Sequence, residues 1–407
     1  MKKLLVLLLL FVYACAYSQT DSLLFSVRGV VRDSETAKPL QEVAVAVPGT
    51  QIAVITNRDG TFVIKSPAPV ESLLFSLLGY NNLQLAVPGT PGKVMSVKMV
   101  RSSFVLDAAK VMTGDPLNIM LLAIERRKNN APEAPELLDC FYRETVQKRQ
   151  RYIYVSEAVT KVYKSEVIDS PARDRAAVVK SRLLTSPRLS DTLSVKVQGG
   201  PAMTVDLDLV KNGTCIIDES ELQNYYFEMM IPELIDNRMQ FVIHLTPALV
   251  PGMALYDCMV YIDRETLAFT RIELSLDMSD PALATRLMFV KQPRGARFKP
   301  KEMSLVLNYK TDGGKTRLSY LRTCFRFSCD WRKRLFATDY TAIAEMVVTN
   351  RHSGEGAEAI PRSEVFRSRD ILADMTELYS DPDFWAEYNI IEPSTSLEHA
   401  LGRLKHE

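Results

Sequence analysis

The chain has few of the residues and motifs on which familiar enzyme and metal chemistry depends. Its 407 residues include four histidines, His244, His352, His399 and His406. The sequence contains no Gly-x-Ser-x-Gly elbow, no His-Glu-x-x-His pair, no Gly-x-x-x-x-Gly-Lys phosphate loop and no Gly-x-Gly-x-x-Gly turn. These are signatures of α/β-hydrolases, zinc peptidases and nucleotide-binding enzymes. We therefore expect no catalytic residue, no metal and no cofactor.

An excess of charge of either sign is also missing. The chain has 50 Lys and Arg against 49 Asp and Glu, which gives a net charge of +1. Nucleic acids and anionic membrane surfaces are recognised through basic surfaces, so we expect neither as a partner. After the N-terminus, no segment reaches the roughly 18 uninterrupted apolar residues that indicate a membrane-spanning helix.

The strongly apolar run at the N-terminus has the form of an export signal. Two lysines precede the apolar residues Leu4 to Val12, and small residues then permit cleavage after Ala16 or Ser18. Ala14 followed by Cys15 supports a second interpretation, because lipoprotein signals end at a cysteine that is acylated. We expect residues 1–18 to be a signal peptide and the protein to be exported. It would then be periplasmic or associated with the outer membrane, with or without a lipid on Cys15.

Cysteine usage does not indicate a disulfide framework. Cleavage beyond Cys15 leaves an odd number: Cys140, Cys215, Cys258, Cys324 and Cys329. Cys324 and Cys329 lie five positions apart in one β-like run. On a regular strand they would face opposite sides and could not easily pair. No pair has Cys-x-x-Cys spacing. We expect mostly buried thiols.

Residues 22–101 have the pattern of a small antiparallel β-sandwich. Short alternating segments are separated by turn residues at intervals of about eight to twelve positions. Asn57-Arg58-Asp59-Gly60 has the composition of a tight hairpin turn, and Phe62 and Ile64 alternate with Val63 and Lys65, which places the aromatic ring inside. The predicted strands are Phe25–Arg32, Glu42–Val47, Ile52–Thr56, Thr61–Lys65, Ser72–Leu78, Asn82–Val87 and Val94–Met99.

This segment resembles the carboxypeptidase-regulatory-like domain, a transthyretin-like sandwich of exported proteins from Bacteroidetes-type bacteria. The resemblance is carried by Val27-Arg28-Gly29-Val30, Pro39-Leu40-Gln41-Glu42, Asp59-Gly60-Thr61-Phe62 and Leu78-Gly79-Tyr80. That domain is a non-catalytic accessory, so the resemblance implies a cellular address rather than a reaction. Outer-membrane receptors place the same sandwich before a plug and a barrel. The chain lacks their strand pattern after Leu106–Met112, and we exclude a transporter.

Residues 102–135 are predicted to be a helical linker and residues 136–350 a large curved antiparallel sheet. Asp115 and Pro116 are an N-cap and a first helical residue. In the sheet, two long strands are expected to meet near Arg149-Gln150, although the first of them could be helical. Gly199-Gly200-Pro201 is expected to interrupt the sheet for a short helix. Further predicted strands are Leu193–Val197, Tyr225–Met229, Gln240–Leu245, Tyr256–Ile262, Ala268–Leu276, Arg286–Lys291, Lys301–Tyr309, Arg317–Phe327 and Ala342–Val348.

Residues 351–407 are predicted to return to helix, in Arg369–Tyr379, Asp383–Tyr388 and Leu397–Lys405. The fold class is thus mainly β: a transthyretin-like sandwich, then a half-barrel-like sheet with a few helices. The segment Tyr261-Ile262-Asp263-Arg264-Glu265-Thr266 is similar to the strand-turn-strand of periplasmic lipoprotein-carrier half barrels. The chain as a whole resembles exported Bacteroidetes proteins named only for their sandwich domain, which implies no known activity.

Charged residues in apolar strands are the candidates for a binding site. Arg143 could meet Glu157 across the sheet, or both could be polar groups in a ligand cavity, while the aromatics could line that cavity or fill the core. The candidate ligand-binding residues are Tyr142, Arg143, Tyr154, Glu157, Tyr225 and Phe227. His352-Ser353-Gly354-Glu355 matches the His-x-x-Glu spacing of zinc carboxypeptidases, but we expect a Gly-rich loop there and no metal.

These patterns together predict a non-enzymatic envelope protein. Its curved sheet would bind an apolar ligand such as a lipid, or an envelope protein partner, with the sandwich as an accessory module. Two alternatives remain open: a hydrolase of unfamiliar type acting on envelope or extracellular polymers, and a purely structural scaffold. A dry cavity favours a carrier, a polar cleft an enzyme, and a filled core a scaffold or a partner-docking protein.

Overall fold

The computed structural model describes residues 24–90, 92–102, 114–188, 191, 200–250, 252–288, 296–331, 337–379 and 387–406. The predicted signal peptide with Cys15, and the predicted strand Leu193–Val197, lie outside these residues. The same holds for residues 289–291 of the predicted strand Arg286–Lys291 and for residues 383–386 of the predicted helix Asp383–Tyr388.

Two small sheets near the N-terminus pack into a sandwich, which confirms the predicted fold of this region. Phe62 and Phe75, one from each sheet, are fully buried and meet edge to face with 5.6 Å between ring centroids. Gly60 ends the predicted hairpin turn at φ 73°, where a Cβ atom would lie 2.3 Å from the Val31 carbonyl oxygen. The first sheet has the order β4 (Thr61–Ser66), β1 (Phe25–Asp33), β7 (Met95–Met99); the second has the order β3 (Ala53–Ile55), β2 (Ala44–Ala46), β5 (Ser72–Ser76), β6 (Leu83–Ala86).

The following residues form an 11-stranded antiparallel sheet that does not close on itself, as predicted. Its strands occur in the spatial order β10 (Arg175–Thr185), β9 (Arg151–Lys164), β8 (Glu136–Lys148), β18 (Thr338–Ser353), β17 (Lys315–Trp331), β16 (Ala296–Asp312), β15 (Phe269–Leu276), β14 (Tyr256–Asp263), β13 (Arg238–Pro247) and β11 (Tyr225–Met229). The short β12 (Glu233–Ile235) also pairs with β13, beside β11. Sequence-adjacent hairpins account for most of the order, as in a meander.

The inner face of this sheet, which carries Tyr142 and Ile272, is covered by the chain's own helices. Helix α1 (Pro116–Asn130) begins with the predicted Asp115 cap and buries Ile119, Met120 and Ala123 against the sheet. The segment from Gly200 to Asn224 adds the short helices α2 (Met203–Asp206) and α3 (Leu209–Asn212). Because these elements share one continuous apolar cluster with the strands, the inner face is the main core of the protein.

The outer face, which carries Phe141 and Tyr320, packs against the sandwich and against the C-terminal strap, as we name residues 387–406. Phe141, Tyr320 and Val347 form one buried cluster with Ile55 of the sandwich and Ile391 of the strap. The strap ends in helix α6 (Thr395–His406), and helix α5 (Leu372–Tyr379) precedes it. A large sheet thus has both faces covered, by different parts of the same chain.

Hydrogen bonds join the strap to the sandwich. The Asn389 side-chain amide donates to the Lys65 carbonyl and accepts from the Lys65 amide, at 2.9 and 2.7 Å. These two bonds satisfy the backbone groups of Lys65 on β4, the strand that ends its sheet. In the hairpin turn, Asn57 donates to the carbonyls of Glu392 and Pro393, and Asp59 accepts from the Thr395 amide. The strap therefore fixes the sandwich to the large sheet.

Two local predictions need correction, and one alternative that the sequence left open is decided in favour of the predicted strand. Arg286–Lys291 was expected to be a strand, but Pro281–Met288 forms helix α4, because Asp280 accepts the amides of Ala282 and Leu283 and Pro281 occupies the first helical position. The first long strand, for which a helix was the alternative, is strand β8. His352 lies at the end of β18 rather than in a loop.

Candidate functional site

Two adjacent strands bring together four of the six candidate residues. Strands β8 and β9 pair so that Arg143 lies opposite Glu157 and Glu144 opposite Ser156. Side chains alternate across a strand, so the four residues separate by face. Tyr142 and Tyr154 contribute to a buried carboxyl site on the inner face. Arg143 and Glu157 belong to an ion cluster on the outer face.

The inner-face site centres on Glu144, which the sequence analysis did not include among the candidates. Its two carboxyl oxygens accept hydrogen bonds from the hydroxyls of Tyr142 and Tyr154, at 2.6 and 2.9 Å. Burial raises the pKa of Glu144 to about 7, against the opposite effect of the two hydroxyls. Gly200 lies over it, with Glu144 Oε1 3.8 Å from the place of a Cβ atom. The group is a buried carboxyl that can change its charge near neutral pH.

The outer-face cluster confirms the expected pairing of Arg143 with Glu157. The fully buried Glu157 carboxylate accepts from Arg143 Nε at 2.7 Å and from Arg182 Nε at 2.6 Å, one oxygen for each guanidinium. Arg143 also donates to the Ile391 carbonyl of the strap at 2.6 Å. Arg143 thus bonds both to Glu157 of the sheet and to the backbone of the strap. Because it holds the strap against the sheet, the cluster is an interdomain joint.

The remaining two candidates, Tyr225 and Phe227, lie on β11, at the opposite end of the large sheet from β8 and β9. Tyr225 is buried within the inner-face cluster, and its hydroxyl accepts from the Tyr256 amide at 3.5 Å. Phe227 is half-buried and packs against the same cluster. The structure therefore does not gather the six residues into one pocket, and a ligand role for any of them stays a prediction.

A second polar cluster lies at the end of β9 and was missed by the sequence analysis. Lys164 donates to Asp208 at 2.9 Å and lies 3.4 Å from Asp174, whose two oxygens accept from Lys211 at 2.5 and 2.6 Å. Burial would lower the pKa of Lys164, but the two carboxylates raise it above its usual value. Burial lowers the pKa of Lys211 in spite of Asp174. No local signal in the sequence indicates such a cluster, because the lysines lie near apolar strands and their acidic partners are tens of residues away.

This cluster could be mistaken for a serine nucleophile beside a lysine base. Lys211 Nζ is 3.3 Å from Ser165 Oγ. However, the lysine donates to both oxygens of Asp174, and Ser165 donates to the same carboxylate. A base needs a free lone pair on nitrogen to accept the serine proton. The arrangement is that of a buried ion network.

A small cavity adjoins this network, between the end of α1 and the inner face. Its volume is about 60 Å³ and its walls include Arg127, Lys164, Asp208, Phe269 and Tyr309. A cavity of that size holds a few water molecules. Pockets for small-molecule ligands are typically about 300–1,000 Å³.

A second cavity, of about 50 Å³, lies where the sandwich, the outer face and the strap meet. The sheet contributes Arg143, Arg322 and Glu345, the sandwich Arg58, and the strap Glu392. Charges of both signs therefore line the interdomain joint.

The histidine of the His-x-x-Glu sequence is engaged elsewhere. His352 Nε2 lies 2.7 Å from Asp139 Oδ2 across the β8–β18 pair. Within the described ranges, no three His, Cys, Asp or Glu side chains are grouped closely enough to hold a metal ion. The described cysteines form no disulfide. None of the described helices combines the length and apolar character needed to cross a bilayer.

The fold defines a two-part, mainly β protein whose large open sheet is covered on both faces. Residues 27–112 match the family model of the CarboxypepD_reg-like domain, which confirms the resemblance of the sandwich. No curated protein sequence matches the chain.

The solved structures that match parts of the chain have low sequence identity and low TM-scores. An outer membrane lipoprotein-sorting protein domain from Vibrio parahaemolyticus is 13% identical, covers 60% of this chain and 94% of its own, and has a TM-score of 0.28. A DUF1329 family protein from Desulfovibrio piger is 10% identical, with coverages of 62% and 100% and a TM-score of 0.28. A membrane-associated protein from Bacteroides fragilis is 9% identical, with coverages of 81% and 99% and a TM-score of 0.16. Such TM-scores carry no conclusion about function.

Proposed function

We propose that the chain is an exported, non-enzymatic protein of the cell envelope that binds a protein partner through its curved β domain. The sandwich is then an accessory module attached to that domain. Export rests on the signal-like residues 1–18, and the accessory role rests on the match of residues 27–112 to a regulatory-like domain.

The filled inner face is the observation that carries the proposal. An open half barrel would offer an apolar groove to a lipid, but here Met120, Met203 and Ile216 are buried against the strands at the place of such a ligand. Among the described residues, the cavity beside α1 has a volume of about 60 Å³, several-fold below the size of typical ligand pockets. A partner that binds the outside of the domain fits this arrangement better than an enclosed apolar ligand.

The hydrolase alternative receives less support from the same residues. A glycosidase-type mechanism needs two carboxyl groups facing one another across an accessible cleft. Asp174 and Asp208 are instead bonded to lysines, Glu157 to arginines, and Glu144 to two tyrosines. Each of these buried acids is held by the protein's own side chains.

Native mass spectrometry tests the proposal directly. The mature protein is purified gently from its own envelope and measured under native and denaturing conditions. The proposal expects an additional polypeptide mass in the native spectrum that disappears on denaturation. A lipid-sized mass in its place would contradict the proposal in favour of an apolar ligand. The bare chain mass in both conditions would favour a scaffold.

A further inference from the structure

Strand β11 ends the 11-stranded sheet and pairs with β13 alone among the described strands. Ala248 donates to the Asn224 carbonyl, and Met230 donates to the Val242 carbonyl. In an antiparallel pair, hydrogen-bonded residues recur at every second position. Tyr226 and Glu228 therefore bond to β13, while the backbone groups of the residues between them point away from it.

The outward-pointing backbone groups of β11 belong to Tyr225, Phe227 and Met229. The Tyr225 amide is bonded to the Leu222 carbonyl in the preceding turn. For Phe227 and Met229, no backbone hydrogen bond from any other described residue reaches the outward side. An exposed edge of this kind is a template for a further strand.

The chain already uses the neighbouring part of the same edge. Strand β12 continues along β13 after the break at Ile231-Pro232, and the Gly79 amide of the sandwich donates to its Leu234 carbonyl at 3.2 Å. Ser76 and Asn82 of the sandwich bond to the turn that follows β12. The sandwich thus occupies the outer edge at β12, and none of the described residues forms a backbone hydrogen bond to that edge at Phe227 or Met229.

The surface around β11 is both apolar and acidic. Tyr226 is 70% exposed, Ile231 77% and Leu249, in the loop next to Asn224, 94%. Natural edge strands are commonly shielded by lysine, proline or a bulge, and β11 contains none of these. Between Lys211 and Arg238 the chain has no basic residue and six acidic ones: Asp218, Glu219, Glu221, Glu228, Glu233 and Asp236.

We propose that β11 is a docking edge for an extended segment of a partner protein in which apolar residues alternate with basic ones. The segment adds as a twelfth strand through the Phe227 and Met229 backbone groups. Its basic side chains lie on the face of Tyr226 and Glu228, where they meet Glu228 and the acids before β11. Its apolar side chains lie on the opposite face beside Phe227 and Met229, which pack against the inner-face cluster. This assignment rests on the proposed partner-binding function and names the surface and the chemistry of the partner.

Hydrogen exchange of the full-length mature protein, read by mass spectrometry, tests the assignment. The probe is an end-capped eight-residue peptide of alternating valine and lysine; the control peptide alternates valine and glutamate. At saturating valine–lysine peptide, exchange in residues 225–230 should slow by about tenfold, because two further amides become bonded. The control peptide should leave exchange unchanged.

A charge-reversed variant separates the acidic surface from the strand edge. Glu219→Lys combined with Glu228→Lys should weaken binding of the valine–lysine peptide by about tenfold or more. The matched control, Glu358→Lys with Glu364→Lys, changes two exposed acids far along the chain and should bind as the unchanged protein does.

Other occupants of the edge give different results, and each overturns the assignment. Protection of residues 225–230 by phosphatidylcholine vesicles but not by peptide indicates a lipid surface. Protection that rises with protein concentration alone indicates a second copy of this chain. Protection of other residues, or equal protection by both peptides, shows that β11 is not a docking edge for a basic partner strand. If native mass spectrometry still finds a polypeptide partner in that case, the proposed function stands and only the docking edge fails.

Discussion

Asp59 of the sandwich accepts hydrogen bonds from the amide and the hydroxyl of Thr395, 336 positions later in the chain, both at 2.7 Å. Thr395 begins helix α6, so a carboxylate from one domain satisfies the first amide of a helix that packs on the other. With the buried Ile391 and the Arg143–Ile391 bond, this contact makes the strap a fastener between sandwich and sheet.

Asp59→Ala should loosen the strap without unfolding either domain. Loss of an acceptor at a helix N-terminus costs about 1 kcal/mol. Hydrogen exchange in residues 388–406 should therefore become faster by about fivefold, while exchange in β8 and β18 stays unchanged. Glu35→Ala, which removes an exposed acid of the sandwich away from the strap contacts, is the control. Equal exchange in the two variants would show that the Asp59 contact does not hold the strap.

Glu157→Gln should strongly destabilise the curved domain. The substitution leaves the guanidinium of Arg143, with a side chain 4% exposed, without its buried counter-charge. Removal of one partner from a buried ion pair costs about 3–5 kcal/mol. Urea unfolding should report a loss of that order, and the exposed control Glu355→Gln should report almost none. A loss below about 1 kcal/mol would mean that the cluster contributes no more than a surface ion pair.

Stability should fall with rising pH because of Glu144. Burial raises the folded-state pKa of this carboxyl from its usual 4.5 to about 7. Protonation therefore favours the folded state: the contribution is complete below about pH 4.5 and is lost as the pH rises to about 7. Its full size is on the order of 3 kcal/mol.

Glu144→Gln removes this titration and keeps an acceptor for one tyrosine hydroxyl. The difference in unfolding free energy between the variant and the unchanged protein should move in favour of the variant between pH 4.5 and pH 7.5. Urea unfolding at both pH values measures that difference, and other titrating groups cancel in the comparison. A difference that is independent of pH would contradict the perturbed pKa of Glu144.

Asp174→Asn should destabilise the end of β9. The carboxylate accepts from Lys211 and from the Ser165 amide and lies 3.4 Å from Lys164, so its loss leaves two largely buried ammonium groups with one carboxylate, Asp208. We expect a loss of about 2–4 kcal/mol by urea unfolding. Glu166→Gln, on an exposed residue two positions from Lys164, is the matched control. An unfolding free energy in urea equal to that of the control would show that this network does not stabilise the fold.

The pairing of Arg143 with Glu157 was predictable in kind but depends on a detail that the sequence does not reveal. Gln147 pairs with Tyr152, but Val146 pairs with Tyr154, so Ile153 is an extra residue in β9. Without this bulge the hairpin would pair Arg143 with Ser156. Alternation predicts strands, whereas a bulge depends on packing on both faces.

Local chemistry predicted the elements that carry their own signals. The Asp115–Pro116 helix start and the Asp263 turn, in which the carboxylate accepts the Thr266 amide, lie where the sequence placed them. Strand β10 was missed because Ala176, Ala177 and Val178 are all buried and do not alternate. The strap contacts join residues more than 300 positions apart, and no local pattern encodes them.

Photo-crosslinking in the native envelope tests the central claim, that a protein partner binds at the β11 edge. A benzoyl-phenylalanine placed at Tyr226 is compared with the same group at Val94, a 54% exposed position of the sandwich. The account predicts a crosslinked polypeptide from position 226 alone, which decreases when the valine–lysine peptide is added. Equal products from both positions, or a lipid adduct at 226, would contradict it.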